Sequence, residues 1–153
     1  MTDDQKFDIY YGHAYHALCQ SYYGRVDFLS TFVQLVGGSA AAAGVVASAP
    51  WLVSLSGVIL AVCAAVSVAV QPSIKADRHL RAKCQFWAVK AEAEQGLDGH
   101  ALQAKITQAQ SDAPPGIMTL DLPAYNRALR MLGYEKGFQE LGPVQSFLSR
   151  ISG

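Results

Sequence analysis

Apolar positions in this chain follow two patterns. Over residues 3–25 they recur in steps of three and four, at Phe7, Tyr11, Ala14, Leu18 and Tyr22, which draws one stripe along a helix. Asp3 or Asp4 stands where that helix needs a cap. From Phe28 to Ile74 the periodicity disappears, because almost every residue is apolar or small and none is Asp, Glu, Lys or Arg. One bilayer crossing needs about 20 such residues. The uncharged run is roughly 47 residues long, too long for one crossing and suited to two joined by a turn at Ser48-Ala49-Pro50-Trp51. The pattern therefore predicts spans over residues 26–47 and 52–70, with Pro50 in the turn or at the first helical position.

Beyond Pro72 the amphipathic pattern returns. Residues 73–95 read as a helix with Leu80, Cys84, Trp87 and Ala91 as its apolar stripe, and with Lys90 and Glu94 one turn apart. Gly96 to Gly99 stop it. Short helices follow over 100–110, 124–132 and 143–151, separated by Pro114-Pro115-Gly116 and Gly133. No strand-like alternation of useful length appears. The expectation is an all-α membrane protein: an amphipathic helix at 1–25, a transmembrane hairpin at 26–71, and a cytoplasmic region at 73–153 made of one long and several short helices.

The two spans differ. The second is strongly apolar, while the first is diluted by Gly37, Gly38, Ser39, Ala40 to Ala43 and Gly44, so it inserts most readily together with its neighbour. These small residues are ordered. Gly37, Ala41 and Gly44 lie along one face of the first span, and Gly57, Ala61, Ala65 and Ala69 recur every fourth residue in the second. Small residues let helix backbones approach closely where lipid offers no hydrophobic drive to associate. Such seams either close the hairpin on itself or join copies into a homo-oligomer.

Charge sets the orientation. The twelve basic and twelve acidic residues all lie in the flanks and the net charge is zero, which argues against nucleic acid as a partner. The turn carries no Lys or Arg, whereas Lys75, Arg78, Arg81, Lys83 and Lys90 crowd the segment after the second span. By the positive-inside rule both termini are expected in the cytoplasm of a bacterial cell, with the hairpin in its cytoplasmic (inner) membrane. Tyr22, Tyr23 and Arg25 at one boundary, Trp51 at the far one, and Lys75 and Arg78 after the second span are the expected interface anchors, with Asp77 and His79 as polar neighbours.

Catalytic chemistry finds little footing. Within the uncharged run from Phe28 to Ile74 the sole ionisable side chain is Cys63, unlike most transporters. His13, His16 and Cys19 share a helix face by spacing, but no fourth zinc ligand is selected, so no metal site is expected. The glycines at 37–44 lack the strand, the order and the acidic residue of a dinucleotide loop. No hydrolase elbow occurs, and Glu92 and Glu94 point apart. Cys19, Cys63 and Cys84 are odd in number and widely spaced, as thiols in a reducing compartment would be. A non-enzymatic protein without cofactors is expected.

The layout resembles the SLATT family, two-transmembrane proteins of bacterial conflict systems. The resemblance rests on the aromatic first helix, the paired spans, Lys75-Ala76-Asp77-Arg78-His79 leading to Phe86-Trp87 and Glu92 and Glu94, and Ala124-Tyr125-Asn126-Arg127-Ala128-Leu129. It implies an effector that oligomerises in the inner membrane and permeabilises it when a separate cytoplasmic sensor protein signals, since no sensor domain is fused here. The alternatives are a membrane anchor whose cytoplasmic helices recruit a soluble partner, and a soluble bundle with residues 28–70 as its buried core.

Overall fold

The structure, a computed structural model, describes residues 1–46 and 48–153. Ala47, the last residue of the first expected span, lies outside the described residues. The described residues are helical with no strand: α1 Asp3–Val46, α2 Pro50–Val70, α3 Pro72–Glu94, α4 Gly99–Asp112, a 3-10 turn Met118–Leu120, α5 Asp121–Met131 and α6 Pro143–Ser152. The amphipathic helix and first span expected as separate pieces form one uninterrupted helix. Nothing between Tyr22 and Phe28 breaks it, and Gly24 alone costs a helix only about 1 kcal/mol. The cap of α1 is Thr2 rather than Asp3 or Asp4. The Gln5 amide donates to Thr2 Oγ1 at 3.2 Å, and the Thr2 amide donates back to Gln5 Oε1 at 3.0 Å, a reciprocal capping box.

The chain divides into two units. The first joins Met1–Tyr22 with Lys75–Gly153, and the second is Tyr23–Ile74. In the first unit the start of α1 serves as a spine with two buried sides. Ile9 joins Phe86 and Val89 of α3 and Leu102, Ile106 and Ala109 of α4. Leu18 and Cys19 join Leu120 and Ala124, with Tyr11, Tyr15, Tyr22 and Leu148 against them. A single apolar stripe therefore understates how much of this helix is covered. On α3 the buried face is His79, Ala82, Phe86 and Val89, one position away from the expected stripe. Leu80, Cys84, Trp87 and Ala91 are exposed. Taking His79 for a surface group produced that one-position error, which rotates a helix by about 100°.

Local chemistry fixes the ends. Val70 closes α2, Gln71 turns left-handed at φ 49°, and Pro72 opens α3. Asn126, buried in α5, clamps the segment after it: Nδ2 donates to the Gln139 carbonyl at 2.7 Å and Oδ1 accepts the Gln139 amide at 2.8 Å. α6 then packs on the 3-10 turn and on α5.

The second unit is a helical hairpin. A Cβ on Gly37 would lie 3.2 Å from Leu60 Cδ2, and one on Gly44 would lie 3.0 Å from Val53 Cγ2. Ser30 Oγ meets Ser67 Oγ at 3.0 Å. The contacts 30/67, 37/60 and 44/53 step by seven residues along each helix, the period of left-handed packing at a shallow crossing angle. Both helices are long and apolar enough to cross a membrane.

Candidate functional site

The hairpin inverts the usual order of a water-soluble fold. Its large apolar side chains face outward, with Phe28 71% and Val68 75% exposed, while Ser30 and Ser56, at 8% and 5%, are buried between the helices. Hydroxyls in such a place need internal partners. Ser56 Oγ donates to the Leu52 carbonyl at 2.7 Å, and the exposed Ser54 and Ser39 also bond within their own helices, to the Pro50 and Leu35 carbonyls, each at 3.0 Å. Gln34 Nε2 lies 3.3 Å from Ser30 Oγ and 3.2 Å from Ser67 Oγ, so three polar side chains knot the hairpin together near its open end.

The two small-residue seams have different fates. On α1, Gly37 and Gly44 are used where α2 approaches, and Ala41 between them is half-buried. On α2 the face toward α1 carries Val53, Ser56, Leu60, Cys63 and Ser67, none of them exposed. Gly57, Ala61, Ala65 and Ala69 are all exposed, and a Cβ on Gly57 would meet nothing within 4 Å. The second seam is therefore left open by the chain's own hairpin. The expected anchors behave individually. Arg25, Trp51, Lys75 and Arg78 are exposed and Tyr23 is half-buried, but Tyr22 packs against the Leu18–Ala124 cluster of the first unit.

The first unit holds a chemically unusual core. His16 and His79, 4% and 1% exposed, face each other with Nδ1 to Nδ1 at 2.9 Å. His16 stacks on Phe86 with ring centroids 5.7 Å apart, and Tyr15 meets it edge-on at 5.4 Å. His13 lies against Trp87 at 4.5 Å, and its Nδ1 is buried with no hydrogen-bond partner. Burial holds all three imidazoles below their ordinary range; His79 adds to the effect at His16, which is lowered to about 4. Burial also raises the Cys19 thiol to about 11, which keeps it protonated and unreactive at neutral pH. Among the described residues no group of three metal-ligating side chains converges. His13, His16 and Cys19, matched by spacing, separate into different packing environments. Gly12 is buried where a Cβ would overlap the Phe86 ring, and the exposed Gly116 lies where one would overlap Tyr15. A cleft of about 420 Å³ runs past Asp8, Tyr11, Tyr15, His16, Phe86 and Gln110.

Two groups escaped the sequence reading. The histidine pair joins residues 63 positions apart, and nothing in either local pattern announces it. The serine knot had a usable signal, since Ser30, Gly37 and Gly44 already show the seven-residue step. No protein family, curated protein or solved structure matches this chain.

Proposed function

We propose that this chain is a small, non-enzymatic integral membrane protein that assembles with copies of itself and perturbs the bacterial cytoplasmic membrane, as an effector of the SLATT type. The observation that carries this reading is the open seam on α2. Gly57, Ala61, Ala65 and Ala69 line an exposed face of a helix whose other side already closes the hairpin, and such a face suits close contact with a second helix in lipid. The outward apolar side chains and inward hydroxyls support lipid as the solvent and count against residues 28–70 as the core of a soluble bundle. Segments from both sides of the hairpin share one core, so a crossing hairpin leaves both flanks on one face. The basic residues after α2 favour the cytoplasmic face.

Expression in a bacterium with a membrane-potential dye, with and without the neighbouring genes, tests the proposal. Depolarisation is expected, and Gly57→Leu or Ala61→Leu should abolish it while the protein still reaches the membrane. A chain that never depolarises the cell, neighbours included, is not this effector. The anchor reading has one observation in its favour: α6 turns Val144 and Phe147 outward, both 62% exposed. One stoichiometric soluble partner in a pull-down, without toxicity, would favour it.

A further inference from the structure

We propose that His16 and His79 form an acid-released latch between α1 and α3, closed by a single shared hydrogen and opened when both rings are charged. The geometry fixes the proton inventory. Two imidazole nitrogens 2.9 Å apart hold one hydrogen between them, so one ring is the Nδ1–H tautomer and donates, while the other accepts at Nδ1 and carries its hydrogen on Nε2. The first proton taken from solvent can go to the outer nitrogen of the donor ring, and the N–H···N bond survives. A second proton can only take the accepting lone pair. Two N–H groups then face each other across 2.9 Å, both rings are cations, and the contact becomes repulsive.

Cationic side chains lie close to these rings. His79 lies in the field of Lys75, and the neighbouring His13 in that of Lys83 and Arg127. Gln20 Oε1 is already taken by Lys83 Nζ at 2.7 Å. On the His16 side the packed groups are the Phe86 face and the Tyr15 edge. Asp8 shares the cleft with His16, and the field of Asp121 falls on Tyr11 and Tyr15. The lowered position of His16, caused by burial and then by His79, agrees with stepwise charging of the pair. Release would free the Gly12–Phe86 contact one turn away, where ring and backbone touch directly. The latch stands on the first unit alone and holds whether or not the hairpin forms a pore.

Histidine side-chain nitrogen NMR on the full chain in detergent micelles, assigned with single His16→Gln and His79→Gln variants, gives the first test. At pH 7.5 one ring should be the Nδ1–H tautomer and the other the Nε2–H tautomer; two rings of the same tautomer overturn the proposal. The second test is amide hydrogen exchange, corrected for intrinsic rate, at pH 7.5 and 4.5. Residues 12–19 and 79–86 should lose at least tenfold in protection on acidification. The double variant His16→Gln with His79→Gln, which keeps a neutral polar pair and leaves His13 in place, should lose clearly less protection, with only the His13 contribution remaining. Equal losses in the two proteins overturn the latch. If the double variant fails to fold, the tautomer measurement decides on the wild-type chain.

Discussion

At the scale of single residues, burial rather than residue type decides behaviour. Gly12 is the sharpest case, since a Cβ there would overlap the Phe86 ring. Gly12→Ala should destabilise the first unit by about 1–3 kcal/mol through overpacking, measured as a lower denaturation midpoint. Gly24→Ala meets nothing within 4 Å and should be neutral or gain up to about 1 kcal/mol. The histidines set the acid response. His16 is neutral when folded down to about pH 4, while an unfolded imidazole takes a proton below about 6.5. The unfolded state thus binds more protons between these values. The stabilising contribution is complete above about pH 6.5 and is lost as pH falls toward 4. A pH series of thermal midpoints should decline over that window, and a flat series would show that the pair is not buried in solution. The sequence showed His13, His16 and His79 but only as ligands or anchors, because a histidine's partner 63 residues away leaves no local trace.

At the scale of elements, helix existence was legible and helix facing was not. The ends near Pro50, Pro72, Gly133 and Pro143 follow from prolines and glycines whose backbone limits are local. The buried face of α3 depended on whether His79 lay inside, which only packing settles. In the hairpin, apolar periodicity carries no information because every face is apolar. The every-fourth-residue pattern at Gly57 drew attention to the wrong side of α2 for hairpin closure, whereas the 3-4 spacing of Val53, Ser56, Leu60, Cys63 and Ser67 marks the side in use. These faces predict opposite phenotypes. Gly44→Leu should splay the hairpin, seen as greater protease sensitivity near the turn, with assembly lost as a consequence. Gly57→Leu should leave the hairpin intact and remove only the higher-order species in cross-linking. Ser67→Ala removes one member of the knot with Ser30 and Gln34 and should cost about 0.6 kcal/mol in unfolding from micelles. A much larger loss would mean that the knot carries a load beyond holding the hairpin.

At the scale of the whole molecule, charge segregation is the property that the order of residues along the chain reveals. If the hairpin lies in lipid, alkaline carbonate washing should leave the protein in the membrane pellet and detergent should release it; recovery in the supernatant would sink the membrane reading. The division into units was less legible. The first unit is assembled from Met1–Tyr22 and Lys75–Gly153, with the hairpin interposed, and a linear reading naturally kept those flanks apart. That interposition has a consequence for biogenesis. A ribosome adding about 5–20 residues per second delivers His79 roughly 3 to 13 seconds after His16, given the 63 positions between them. Throughout that interval the first helix has no α3 to cover it, and the hairpin is synthesised before the core of the first unit can close. Any factor that shields the emerging Ile9 and Leu18 would be displaced in stages, from Ile9 as α3 and α4 follow the hairpin and from Leu18 only when Leu120 and Ala124 arrive.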